Sequence, residues 1–252
     1  MRRISQCTRR ARPFLWPLVV VLFATLTGCV KVEQTLTLNA DGSGVIDLTY
    51  GMSEDTVSGL HEMAKSVLEE TNGSGAASAP FDFSDEDIRQ DFKEYEPDGV
   101  TLESVRTEAR EGWTFRHLVI RFRDLAGLAR TGFLADRNFS LSRDAQGNCV
   151  LVQSTAGNGN VSEQVSALGG PEMESAMNSL MKGFRAVIRV KTPGKILETN
   201  APEKSDCSAT WTFDLEKDPE ALEKVQQTSM RIVFEGKGVR IPDFNSAAGA
   251  NR

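Results

Sequence analysis

The run Val30-Lys31-Val32-Glu33-Gln34-Thr35-Leu36-Thr37-Leu38-Asn39-Ala40-Asp41-Gly42-Ser43-Gly44-Val45-Ile46-Asp47-Leu48-Thr49-Tyr50 alternates apolar and polar residues on both sides of a glycine-rich centre. Val30, Val32, Leu36 and Leu38 share one parity, and Ile46, Leu48 and Tyr50 share one beyond Asp41-Gly42-Ser43-Gly44. Period-two runs around such a turn predict a β-hairpin with one buried face. The same letters imitate a calcium loop: Asn39, Asp41, Ser43 and Asp47 put oxygens at EF-hand positions 1, 3, 5 and 9, with Gly44 at position 6. Position 12, which needs a bidentate Glu, is Tyr50, and both flanks read as strands. The stretch is therefore taken as a hairpin turn, and no metal is expected.

Reading on toward the carboxyl end, Ser53 with Glu54 and Asp55 opens a helix whose apolar stripe is Val57, Leu60, Met63, Ala64, Val67 and Leu68. Asn72 to Pro80 is a connector by composition. Ser84 then starts a short acidic helix carrying Ile88 and Phe92. A second hairpin pairs Val100–Ala109 with Trp113–Phe122, and Asp124 caps a short helix through Leu125 and Leu128. A third pairs Asn138–Ser142 with Asn148–Ser154 across Asp144-Ala145-Gln146-Gly147. After a loose stretch comes a helix with Pro171 near its first position and an apolar face of Met173, Met177, Leu180, Met181 and Phe184. Strands at 186–191, 196–197, 207–215 and 230–235 and a helix beginning at Asp218-Pro219 complete the pattern. Tight turns join successive strands, so the expected class is α+β with mainly antiparallel sheets built from hairpins, interspersed with helices. The expected organisation is a leader at 1–28, one domain at 29–235 with an insert at about 72–97 that allows two subdomains, and a tail at 236–252 disordered at its end.

Toward the amino end the chemistry changes. The first 28 residues hold five Arg and no acid, followed by the apolar run Phe14–Thr27. Fourteen apolar residues are too few for a bilayer span of about 20 and suit a signal-peptide core. Leu26-Thr27-Gly28-Cys29 resembles the lipobox of bacterial lipoproteins, which implies cleavage before Cys29, a diacylglyceryl thioether on its sulfur and acylation of the new amino terminus. Two or three acyl chains make anchoring long-lived where one is marginal. Thr8-Arg9-Arg10-Ala11-Arg12 has a twin-arginine flavour, but Arg12 stands where that signal prefers an apolar residue, so general secretion is expected. Val30 in place of Asp after the lipidated Cys favours the outer membrane if the host has two. The predicted location is the extracytoplasmic side of a bacterial membrane.

The whole chain of 252 residues carries a net charge of -6; without the leader, 24 basic residues face 35 acidic ones, a net charge of -11. No nucleic-acid partner is expected of such a surface. Two His, His61 and His117, make a multi-His metal site and His-based catalysis unpromising. No GxSxG, HExxH, GxxxxGK[ST] or post-strand GxGxxG occurs, so no catalytic residue and no cofactor is assigned. Cys149 and Cys207 are the thiols left after Cys7 departs and Cys29 is lipidated, and in an oxidising compartment a bridge between them is expected.

Thr192-Pro193-Gly194-Lys195-Ile196-Leu197-Glu198-Thr199-Asn200 followed by Thr210-Trp211-Thr212-Phe213 resembles the LppM-type lipoprotein domain, as does the opening Cys29-Val30 with Leu36, Leu38 and Asp41-Gly42-Ser43-Gly44. The resemblance implies a non-enzymatic envelope lipoprotein that binds lipid or glycolipid. Read by themselves, the same residues need no ligand: Pro193-Gly194 is a turn, and Trp211 on a strand fills a core. Met173, Met177 and Met181 at i, i+4 and i+8 make an adaptable stripe that can face an apolar ligand, though core packing explains it as well. The expected partners are the membrane, through acyl chains on Cys29, and a lipid, glycan or protein at its surface. An envelope enzyme using carboxylates and a structural component of the envelope are the alternatives.

Overall fold

A computed structural model describes residues 30–71, 83–131, 137–155 and 181–240. The first hairpin is as expected. Strand β1 (Val30–Leu38) pairs antiparallel with β2 (Gly44–Ser53), from Val30 opposite Met52 to Leu38 opposite Gly44. The alternation buries Leu36, Leu38 and Ile46 and turns Lys31, Glu33 and Asp47 to solvent. In the turn, the Asn39 amide donates to the Ser43 carbonyl at 2.8 Å, and Gly42 takes φ 88°, which a side chain resists. Asp41 accepts from the Ser43 amide at 3.0 Å and its hydroxyl at 2.6 Å, so the calcium-like string closes on itself between two strands. Those bonds favour the charged form and hold the Asp41 carboxyl below its ordinary value.

Helix α1 (Glu54–Thr71) leaves β2 directly, with the Ser53 hydroxyl accepting from the Thr56 amide at 3.2 Å. Helix α2 (Asp85–Phe92) starts in a capping box between Ser84 and Asp87. A 3-10 turn, Lys93–Asp98, ends at Gly99 in the left-handed region. Within the stretch read as an insert at about 72–97, α2 and this turn pack on the next strand. The second hairpin follows as β3 (Val100–Arg110) and β4 (Trp113–Phe122), then α3 (Leu125–Arg130), capped by the Asp124 carboxylate on the Gly127 amide at 2.7 Å. The third hairpin is β5 (Arg137–Arg143) and β6 (Cys149–Thr155), its turn held by Asp144 accepting from the Gln146 and Asn148 amides. The rest comprises β7 (Arg185–Lys191), β8 (Ile196–Thr199), β9 (Glu203–Lys204), β10 (Ser208–Asp214), α4 (Ala221–Gln227) and β11 (Met230–Phe234).

The strands form a seven-stranded sheet, β3-β4-β2-β1-β7-β10-β9, and a four-stranded sheet, β5-β6-β11-β8. This is the expected α+β class with antiparallel pairing, and β1 with β7 is the parallel pair among the described strands, Lys31 opposite Arg185 through Thr37 opposite Lys191. Both sheets feed one apolar core: Leu36, Ile46, Ile120, Phe122 and Ile188 from the large sheet meet Leu151, Ile232 and Phe234 from the small one. Each such side chain stabilises by about 1.5–3 kcal/mol, more than an exposed ion pair at about 0–1.

The crossover between sheets is the segment Thr192–Lys195, where β7 of one sheet continues into β8 of the other. A Cβ at Gly194 would lie 2.4 Å from the Glu235 carbonyl, so only glycine lets this turn close against the end of β11. Asn200 then imitates a strand: its side-chain amide donates to the Ser229 carbonyl at 2.7 Å and its oxygen accepts from the Arg231 amide at 2.9 Å. Residues 236–240, placed past the domain's end in the sequence reading, are fastened to it. Arg143 donates to the Gly236 and Val239 carbonyls, the Arg240 amide donates to the Ala40 carbonyl at 2.7 Å, and Val239 is buried.

The expected bridge between Cys149 and Cys207 is absent: both thiols are free. Cys149 opens β6 in the small sheet opposite Phe234 and points into the core, whereas Cys207 stands exposed before β10 in the large sheet. Strand-like text around both cysteines was correct, but it placed them in different sheets. Among the described residues no helix is long and apolar enough to cross a membrane.

Candidate functional site

The two faces of the large sheet differ. On the inner face lies the core, with α2 laid against β3 by Arg89, which donates to the Val105 carbonyl at 3.1 Å, and by Asp85, which accepts from the Thr107 amide and hydroxyl. The outer face carries polar and aromatic residues in cross-strand rows. Lys31, Gly51, Phe115 and Glu108 form one row across β1, β2, β4 and β3; Glu33, Thr49, His117 and Arg106 form the next. Together with Arg110 these two rows line a half-open groove of about 360 Å³.

A glycine shapes its floor. A Cβ at Gly51 would lie 2.4 Å from Cδ1 of Phe115, so the ring rests directly over the backbone of β2. Trp113 stacks on Phe115 with ring centroids 5.6 Å apart and planes 17° from parallel. Lys31 places Nζ 4.3 Å from the Trp113 centroid, and Arg110 places Cζ 5.0 Å from that of Phe115. Each such cation–ring contact contributes about 0.5–1 kcal/mol at an exposed site. Beyond the rings, His117 Nε2 lies 2.8 Å from an Asp47 oxygen, and Arg106 lies 3.6 Å from Glu108. Lys31, Arg106 and Arg110 against Glu33 and Glu108 leave the groove locally positive by one, within a body of strongly negative charge. Flat aromatic faces bordered by exchangeable charges suit a ligand with a polar head beside an apolar part.

Behind this face, Arg116 is 3% exposed and fully engaged on the inner side. It donates to the Thr107 hydroxyl at 2.9 Å, the Tyr50 hydroxyl at 3.4 Å and the Phe83 carbonyl at 2.6 Å, with Asp85 3.8 Å away. Its work is to seat the chain entering α2. Gln34 Nε2 and Trp211 Nε1, on the inner face to either side of Ile188, and the Gln153 amide in the small sheet are buried without hydrogen-bond partners.

Of the residues singled out in the sequence, Leu26, Thr27, Gly28 and Cys29 lie outside the described residues, as do Met173 and Met177. Met181 is half-buried against the core, and its carbonyl accepts from the Phe184 amide where the chain enters β7. His61 is exposed on α1, and His117 lies in the groove. Burial in the core pushes the Cys149 thiol up. The sequence reading missed Trp113, Phe115, Arg106 and Arg110. A signal for them exists in β4: both parities of Trp113–Phe122 carry bulky residues, so the parity opposite Leu118, Ile120 and Phe122 exposes aromatic surface.

A family model described as the LppM domain matches residues 48–226. No curated protein matches the chain. Among solved structures, the NMR structure of the folded domain of LppM from Mycobacterium tuberculosis is similar at 12% identity with a TM-score of 0.40, over 86% of this chain and 94% of that one. The family match begins inside β2, so Lys31 and Glu33 of the groove precede it.

Proposed function

The chain belongs to the LppM domain family, and from that premise we propose that it is a non-enzymatic envelope lipoprotein, held by acyl chains on Cys29, that binds the polar head of a lipid or glycolipid in the groove on its outer sheet face. The observation that carries this reading is the groove's composition: the Phe115 ring, on which Trp113 stacks, with Lys31 and Arg110 against these rings and Arg106, Glu108 and Glu33 alongside. The rings offer apolar contact to acyl methylenes or to a sugar face, and the ionic groups offer hydrogen bonds to phosphate and hydroxyls. Binding is favoured over catalysis because Glu108 and His117 of the groove are paired, Glu108 with Arg106 and His117 with Asp47. The proposed position is the extracytoplasmic surface of a bacterial membrane, outer where there are two.

Native mass spectrometry of the detergent-released protein tests this reading. The wild type is expected to retain a lipid-sized ligand that the double variant Arg106→Ala, Phe115→Ala loses while keeping its circular-dichroism spectrum. A folded double variant that retains the ligand as fully as the wild type would place the site elsewhere.

A further inference from the structure

One end of the large sheet gathers Val30 at the start of β1, Ser53 at the end of β2, Arg110 and Trp113 beside the β3–β4 turn, and Arg185 at the start of β7. The stacked Trp113–Phe115 pair and its two cations lie at this end. Lys31, whose ammonium stands 4.3 Å from the Trp113 ring, is two residues from Cys29. Two residues of extended chain span at most ~7 Å. The headgroup region on each side of a bilayer is roughly 5–8 Å deep. With acyl chains on Cys29 inserted, so short a lead holds this end of the sheet, and the Trp113 ring with it, next to the headgroup layer.

We infer that this end of the sheet is a bilayer-seating surface: Trp113 enters the phospholipid headgroup layer, with Lys31 and Arg110 beside it at the level of the phosphates. The inference rests on the acyl anchor proposed above and adds the domain's orientation to it. The side chains suit the place, because amphipathic rings settle at the membrane–water interface and long cationic side chains keep their heads at phosphate level. Long-range charge is not what holds the contact, since Glu54, Asp55 and Glu111 stand exposed at the same end. The seating therefore needs no anionic lipid, and phosphatidylcholine is a sufficient surface.

The full acylated chain in phosphatidylcholine vesicles provides the test. Trp16 leaves with the leader, so the mature protein has two tryptophans, Trp113 at the sheet end and Trp211 buried in the core. Bromine on the upper acyl carbons is expected to reduce the emission of the wild type more than bromine near the chain ends, and Trp113→Phe is expected to abolish that loss while vesicle flotation persists. Protein that floats with the vesicles but whose emission is indifferent to bromination, or equally quenched in Trp113→Phe, would overturn the seating and leave the anchor standing. Failure to float would remove the anchor itself, and the seating with it.

Discussion

Gly51 has no side chain, and the groove depends on that. Any Cβ there would collide with the Phe115 ring, and with the ring displaced the stack with Trp113 and the approach of Arg110 would go too. In the sequence Gly51 is one more residue at the end of a strand; its importance comes from a neighbour 64 positions away, which no local pattern announces. The two thiols teach a similar lesson. Cys149 and Cys207 both sit in strand-like text, yet one faces the core and the other solvent. A thiolate is the reactive species, and burial raises the Cys149 pKa, so its reaction with a thiol reagent near neutral pH is suppressed twice over. The acylated native protein should therefore show one rapidly titrating thiol, abolished by Cys207→Ser, and two after unfolding without reductant. No titratable thiol until reduction, and two after it, would restore the bridge.

At the scale of the element, the hairpins and caps were legible because their causes are local. Asp144 folds its own turn through amides two and four residues on, and Glu111 and Gly112 both take positive φ in the tight β3–β4 turn. Ser84 marks the start of α2 in the sequence, and in the structure it closes a capping box with Asp87. That box gives a pH-dependent expectation. The Ser84 hydroxyl and amide hold the Asp87 carboxyl below its ordinary value, a depressed folded pKa; its contribution is present above the unfolded pKa of about 3.9 and is lost as pH falls through the folded value. Asp87→Asn should therefore destabilise the protein at neutral pH by a margin that narrows steadily below about pH 4, as read by denaturant titration across the acid range. Ser84→Ala should cost about 1 kcal/mol near neutrality. A margin for Asp87→Asn that stays constant down to pH 2 would show that the carboxylate's charge contributes nothing to the cap. What local chemistry could not reveal was the parallel pairing of β1 with β7, which joins strands about 150 residues apart through alternation that many partners would satisfy.

For the whole molecule, the division into two sheets and the open outer face follow from that long-range pairing. Once β7 docks beside β1, the Thr192–Lys195 crossover carries the chain into the small sheet, and the core closes between the two, while among the described residues the opposite face of β1, β2, β4 and β3 holds the groove. The sequence announced the class and most strands. It could not show that the Phe115 ring of β4, the cations of β3 and the first residues of β1 converge on one groove. That convergence is the centre of the account, and a photoactivatable phospholipid carrying its reactive group at the headgroup, cross-linked to the acylated protein in vesicles and mapped by peptide mass spectrometry, tests it directly. Adducts concentrated in peptides containing Lys31 and Glu33, Arg106 to Arg110 and Trp113 to His117 are predicted; adducts confined to the small sheet, or to the β9–β10 edge of the large one, would contradict it.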